Sequence, residues 1–246
     1  MPQFDDDFLA SINDRFSASS LRRRLEYIRD IVPGKIVLTT SLGAEDQLLT
    51  HYIFVNNIDI DVVTLDTGRL FPETYDVWER TEDKYERRIT AFFPDATEVE
   101  NFVSKRGING FRSSVEARQE CCKIRKVIPL NRALGEATAW IAGLRAEQSS
   151  HRASIAFAEI DPVRNLLKVN PIADWTLSQI HECIYTHGIP YNALHDQGFP
   201  SIGCQPCTRA VHLGENDRAG RWWWEHSTKE CGLHIVASPT VAKENT

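Results

Sequence analysis

The 246-residue chain has no apolar run near the roughly 18 residues that a membrane-spanning helix needs, which excludes a helical membrane protein and predicts no membrane partner. It also lacks an excess of basic charge. Lys and Arg number 28 against 34 Asp and Glu, a net charge of −6, so a general nucleic-acid-binding surface is not expected and any anionic ligand must be met by a local group of cations. The acidic start, Met1-Pro2-Gln3-Phe4-Asp5-Asp6-Asp7, has neither the basic stretch nor the apolar core of a secretory signal, and predicts a cytoplasmic protein. There is no internal repeat and no low-complexity block. What remains is an ordinary globular composition, 42% hydrophobic and 25% charged, at a length suited to one large α/β domain with a functional tail. Six cysteines in such a chain are not a disulfide framework; they read as metal binding or catalysis.

Strand and helix patterns alternate. A helix over 21–31 is followed by the Pro33-Gly34 break and a buried strand, Lys35-Ile36-Val37-Leu38-Thr39-Thr40. Ser41-Leu42-Gly43-Ala44 then turns into a helix with Leu48, Leu49 and Tyr52 inward. A second strand, Asp61-Val62-Val63-Thr64-Leu65, ends in Asp66-Thr67-Gly68-Arg69, and Pro72 starts another helix. Further strands are expected at 88–93, 139–142 and 166–169, and a helix over 176–187 with Leu177, Ile180, Ile184 and Tyr185 on one face. This order predicts a mostly parallel sheet with helices on both faces. The expected division is a main domain over 1–210 and a mobile, loop-rich tail over 211–246.

Two Gly-containing turns, at Ser41-Leu42-Gly43 and Asp66-Thr67-Gly68, fall at the C-terminal ends of neighbouring strands, where open α/β sheets bind nucleotides. Ser as a helix cap and Gly as a tight-turn residue offer a purely structural alternative for each. Cys121-Cys122 and Cys204-Gln205-Pro206-Cys207 form two groups that can converge on one four-thiolate site, an iron–sulfur cluster or zinc. Adjacent helical cysteines suit the separate iron corners of a cluster better than one tetrahedral zinc. Lys126, four residues after Cys122, shares its helical face. Arg145, Arg152, Arg218 and Arg221 supply a candidate anion cage. Cys183 reads as a core or boundary residue. Cys231 stands apart, between Lys229 and His234, both near enough in sequence to favour a thiolate, and Trp222-Trp223-Trp224 precedes it as an apolar anchor.

These motifs, in their order, resemble those of the thioredoxin-dependent assimilatory adenylyl-sulfate reductases, within the wider adenylyl-sulfate and phosphoadenylyl-sulfate reductase family. The resemblance rests on Ser41-Leu42-Gly43-Ala44-Glu45-Asp46, Leu65-Asp66-Thr67-Gly68-Arg69, Cys121-Cys122, Ile141-Ala142-Gly143-Leu144-Arg145 with Glu147-Gln148-Ser149, Cys204 with Cys207, and Glu230-Cys231-Gly232-Leu233-His234. It implies a fold like that of the adenine-nucleotide hydrolases and ATP pyrophosphatases, and one 4Fe-4S cluster per subunit on Cys121, Cys122, Cys204 and Cys207. It implies that Cys231 attacks adenosine 5'-phosphosulfate, releases AMP and becomes S-sulfocysteine, from which reduced thioredoxin or a glutaredoxin-like dithiol frees sulfite. It further implies adenosine near Ser41, Gly43, Leu65 and Gly68, phosphosulfate among Lys126, Arg152, Arg218 and Arg221, and Asp66, Arg145 and His234 as further substrate-binding residues. A homo-oligomer is compatible with it. Ala146 departs from the pattern, since family members often carry a second arginine there. The four cysteines favour adenosine 5'-phosphosulfate over its 3'-phosphorylated form, with a reductase of the 3'-phosphorylated compound or a dual-substrate enzyme as the alternative. An adenylating ATP pyrophosphatase and a zinc- or cluster-based redox sensor are the competing classes, and Cys231 is the residue that separates them from a reductase.

Overall fold

Alternation of period two in β-branched runs builds the sheet. In β1 (Lys35–Thr40), Ile36 and Leu38 pack into one core and Val37 into another, so the strand is buried on both faces, as parallel strands are. The computed structural model describes residues 4–148, 152–225 and 233. Its sheet has six strands: β1, β2 (Asp61–Leu65), β3 (Thr90–Phe92), β4 (Ala137–Ile141), β5 (Ala158–Ile160) and β6 (Leu167–Val169). Their order is β3-β2-β1-β4-β6-β5, all parallel except β5, which runs antiparallel to β6 at the edge. The chain winds outward from β1 through β2 to β3, then returns to β4 on the other side of β1. That reversal opens a crevice at the C-terminal ends of the central strands.

The larger core lies between the sheet and helices α1 (Asp6–Ser17), α2 (Leu21–Ile31), α3 (Ala44–Val55), α4 (Pro72–Tyr85) and α8 (Leu177–His187). On the opposite face, Val37, Val63 and Trp140 pack with Leu130 and Ala133 of α7 (Ile128–Ala133). A third, smaller core joins Phe102 of α5 (Ala96–Arg106) to Phe111, Trp222 and three cysteines, one of them Cys122 at the end of α6 (Val115–Cys122). Among the described residues no helix is long and apolar enough to cross a membrane.

The expected sheet is present, with the first two strands at their expected bounds. Three differences have local causes. Helix α1 is held by Asp5, whose side chain accepts from the Phe8 N–H, and by Ile12 and Phe16, a short stripe inside a polar sequence. Strand β5 has only three residues and only one partner strand, too short for a periodic signal. On α8, Ile180 and Ile184 face the core, whereas Tyr185 lies one step around the helix and is 64% exposed. Residues 211–225 fold onto the body through Val211 N–H to the Gly198 carbonyl (2.8 Å) and Trp222 N–H to the Cys207 carbonyl (3.1 Å). The expected division after residue 210 falls next to this folded segment.

Gly34 ends the turn before β1 at φ +81°, and a Cβ there would meet Thr138 Oγ1 of β4 at 2.7 Å. Gly107 has a similar φ of +84° with nothing within 4 Å. Gly34→Ala is therefore expected to lower stability by about 2 kcal/mol or more and Gly107→Ala by about 1 kcal/mol, read from urea unfolding. Equal losses in the two variants would remove the Thr138 contact from the explanation.

Candidate functional site

At the C-terminal ends of β1, β2 and β4 lies a cleft of about 240 Å³. Its wall includes Ser41 and Gly43 from the first turn, Leu65 and Thr67 from the second, and Lys126, Arg145, Arg152, Arg218 and Arg221. The structure thus gathers eight of the candidate residues from five separate stretches of chain. Asp66 and Gly68 are not in this wall. Asp66 accepts from the Gly68 N–H (2.8 Å) and the Tyr75 hydroxyl (2.9 Å), and Gly68 takes φ +68°, so the pair shapes the turn that presents Leu65 and Thr67. Cys231 and His234 lie outside the described residues. Leu233 is described; it lines the cleft and packs against the core that holds Leu144.

Two polar networks beside the cleft join Ser41 and Arg145, candidates from the sequence, to partners that sequence reasoning missed. Asp46, in the first turn of α3, accepts from both the Ser41 N–H (2.7 Å) and the Ser41 hydroxyl (2.6 Å). Burial pushes its carboxyl up to about 6 against the opposing help of the Ser41 hydrogen bonds. A Cβ on Gly143 would meet Asp46 Oδ1 at 2.3 Å, so the turn after β4 must carry glycine to approach this carboxylate. The second network is ionic. Arg145, 3% exposed, donates to Glu45 (2.9 Å) and Glu147 (2.9 Å), and Gln148 donates to the same Glu45 oxygen (3.0 Å). Glu147 also accepts the Leu177 N–H at the start of α8 (2.9 Å). Arg145 therefore frames the cleft with its charge already opposed by two carboxylates.

The four candidate ligands Cys121, Cys122, Cys204 and Cys207 line one small cavity, together with Arg118, Arg125, Lys126, Phe111 and Trp222. After α6 the helix passes through a π-helical turn, Lys123–Val127, a feature frequent at functional sites. Arg125 and Lys126 are buried by it, and Arg125 donates to the Thr67 carbonyl (2.6 Å). Lys126 and Cys204 line both the cysteine cavity and the cleft, forming a shared wall. Burial alone would raise the Cys204 thiol, but Lys126, the Thr67 hydroxyl at 3.3 Å, Arg221 and Arg125 outweigh it and leave Cys204 below the ordinary thiol range. Burial pushes Cys121 up to about 11 and Cys207 up to about 12. Four thiols, none in a disulfide, beside three cations are a donor set that fits an iron–sulfur cluster. Among the described residues no three His, Cys, Asp or Glu side chains are gathered closely enough for a single metal ion.

Residues 220–222 run back along 207–209, with Arg209 N–H to the Gly220 carbonyl (3.0 Å) and an antiparallel bridge between Thr208 and Arg221. Trp222 takes φ +41°, a left-handed conformation costing a non-glycine residue roughly 1–2 kcal/mol. Guanidinium groups of Arg118 (4.5 Å) and Arg221 (4.8 Å) over its ring help hold it there. The Arg221 side chain, 7% exposed with its residue, donates to Ile202 O (3.2 Å) and Ser201 Oγ (3.3 Å), while its Nε has no hydrogen-bond partner among the described residues.

Residues 35–210 match the phosphoadenosine phosphosulfate reductase domain. The chain belongs to that family. It is 48% identical over 230 residues to a protein of Agrobacterium fabrum named adenosine 5'-phosphosulfate reductase, an alignment covering 93% of this chain and 88% of the relative. A protein of the same name from Allochromatium vinosum is 52% identical over 200 residues, covering 81% of this chain and 78% of the relative. Among solved structures, the phosphoadenylyl-sulfate reductase of Candida auris in a phosphate complex superposes with a TM-score of 0.73 at 24% identity, over 85% of this chain and 99% of that one. Yeast FAD synthetase shares the fold at a TM-score of 0.52 and 16% identity, over 85% of this chain and 70% of that one. The match to the family thus spans both turns of the cleft and both cysteine groups.

Because the native carboxyl of Asp46 titrates near 6 and an unfolded one near 3.8, the native chain binds the extra proton between these values. The stability this proton contributes is full below about pH 3.8 and is lost as pH rises through about 6. Asp46→Asn is expected to flatten the pH dependence of the urea midpoint between these limits. An unchanged slope would mean that another group carries it.

Proposed function

We propose that the protein reduces adenosine 5'-phosphosulfate to sulfite and AMP, with Cys231 as nucleophile and a dithiol protein of the thioredoxin or glutaredoxin type as reductant. The observation that carries this reading is the shared wall: Lys126 and Cys204 face both a nucleotide-sized cleft and the four-cysteine cavity. Family membership and the names of the relatives at about half identity support the reaction and the substrate. The adenosine sits against the two turns at Ser41, Gly43 and Leu65. The phosphosulfate lies toward Lys126, Arg152, Arg218 and Arg221, fixed cations that neutralise its charge and leave the sulfur open to attack. Arg145 positions this wall through Glu45 and Glu147. Leu233, which lines the cleft, is two residues along the chain from Cys231.

In the reaction the Cys231 thiolate forms a bond to the sulfate sulfur, and the bond from that sulfur to the bridging phosphate oxygen breaks. AMP leaves with the electron pair, and Cys231 carries the sulfonate. One thiolate of the reductant then attacks the Cys231 sulfur and expels sulfite. Its second thiol closes the reductant's own disulfide and returns the Cys231 thiol. The sulfur of the substrate gains two electrons, and the dithiol supplies both. In this reading Cys121, Cys122, Cys204 and Cys207 would hold one 4Fe-4S cluster per subunit, which would supply a fixed electrostatic field beside Lys126. The cytoplasm, where thiols stay reduced, is the compartment this chemistry needs.

Protein purified without oxygen is expected to be brown, with about four irons and four sulfides per chain. Zinc without iron would overturn the cluster. Cys231→Ser is expected to abolish sulfite release while AMP affinity and iron content stay as in the parent. Sustained turnover by this variant would remove Cys231 from the reaction. Side by side, adenosine 5'-phosphosulfate is expected to have the lower KM, and a lower KM for the 3'-phosphorylated compound would reverse the substrate assignment.

A further inference from the structure

We infer that the buried Arg118–Glu225 ion pair is a positioning device for the nucleophile, fixing the start of the segment that carries Cys231 to the helix that carries Cys121 and Cys122. The inference rests on the function proposed above and adds to it residues outside the nucleotide cleft. Arg118 Nε lies 2.7 Å from Glu225 Oε1, and their side chains are 1% and 5% exposed. Neither residue lines the cleft; Arg118 lines the cysteine cavity. A buried ion pair is a weak device for stability, since well-packed apolar residues of the same volume often do as well, and its best-attested use is to fix register.

The register here joins three pieces of chain. Glu225 is bound to α6 through Arg118. Trp222, three residues earlier, lies under the same guanidinium and donates its N–H to the Cys207 carbonyl. On the far side of Cys231 in sequence, Leu233 packs into the cleft wall beside the core of Leu144 and Ile155. The described residues nearest Cys231 on either side, Glu225 and Leu233, are therefore held at one point on the cysteine-pair helix and one point in the nucleotide cleft. Glu225 lines neither the cleft nor the cysteine cavity, so its release acts on Cys231 through the chain rather than through a contact with the nucleotide.

The test uses the full-length protein carrying Glu225→Gln and, because that change takes a carboxylate from a buried guanidinium, also the paired apolar replacement Arg118→Met with Glu225→Leu. With adenosine 5'-phosphosulfate and no reductant, the single-turnover rate of S-sulfocysteine formation at Cys231, followed by intact-protein mass spectrometry, is expected to fall at least about tenfold in both. AMP affinity by calorimetry in both variants, and iron content in Glu225→Gln, are expected to stay within about twofold of the parent, so kcat falls and KM does not rise. An independent readout is the rate at which iodoacetamide alkylates Cys231, mapped by peptide: AMP is expected to change it in the parent and not in the variants. If Glu225→Gln fails to fold, the paired replacement decides. An unchanged labelling rate and an unchanged AMP effect in that replacement would overturn the inference, as would a loss of AMP affinity in step with the labelling rate, which would make the pair a fold element. Absence of S-sulfocysteine in the parent would instead refute the proposed reaction, and the alkylation readout would still judge the ion pair.

Discussion

The structure turns on one wall shared by two cavities. Lys126 and Cys204 face the cysteine cavity on one side and the cleft on the other. To put them there, the chain must bring the end of α6 and the loop at 201–207 against the turn that follows β2. Thr67 is the meeting point: its hydroxyl is 3.3 Å from the Cys204 sulfur, and its carbonyl accepts from Arg125. The same turn contributes Leu65 to the cleft. The parallel sheet is the frame that makes this economical, because the C-terminal ends of its strands all open on one side.

The charge distribution follows from that wall. A chain with a net charge of −6 buries Arg118, Arg125, Lys126, Arg145, Arg152 and Arg221. Burying a cation requires partners, and the partners found differ in kind. Arg145 and Arg118 are met by carboxylates, Glu45 with Glu147 and Glu225 respectively. Arg125 and Arg221 are met by backbone carbonyls, of Thr67 and Ile202. Carbonyl dipoles satisfy hydrogen-bond donors without cancelling their charge, so Arg125 and Arg221 still lower the Cys204 thiol after Lys126 and Thr67 have done so. The sequence arithmetic that excluded a broad basic surface thus coexists with a strongly cationic interior.

Legibility in the sequence followed the range of the interactions. Strands β1 and β2 were readable to the residue, since both are short runs rich in β-branched residues and ended by turn residues. The meeting of Cys121 and Cys122 with Cys204 and Cys207 at one cavity was readable, because two tight groups of soft ligands point to a common centre. Asp46 and Gly143 were not, although both stand in quoted motifs. Their roles appear only when the turns after β1 and β4 meet, nearly a hundred residues apart in the chain. Arg145 was read as a cage cation from its type alone, and the structure adds the two carboxylates that oppose it. Arg118 and Glu225 gave no signal, being one basic and one acidic residue among many, joined across 107 positions.

The π-helical turn at Lys123–Val127 has a consequence for how such a wall arises. A regular helix repeats its faces, so residues that look into one chamber at one turn look into the same chamber at the next. A single wider turn breaks that repetition without breaking the rod. Cys121 and Cys122 address one chamber, and Lys126, one turn on, reaches both. The wider turn thus lies between the cysteine pair and the cation that both chambers share, so any change in its winding is passed directly to that cation.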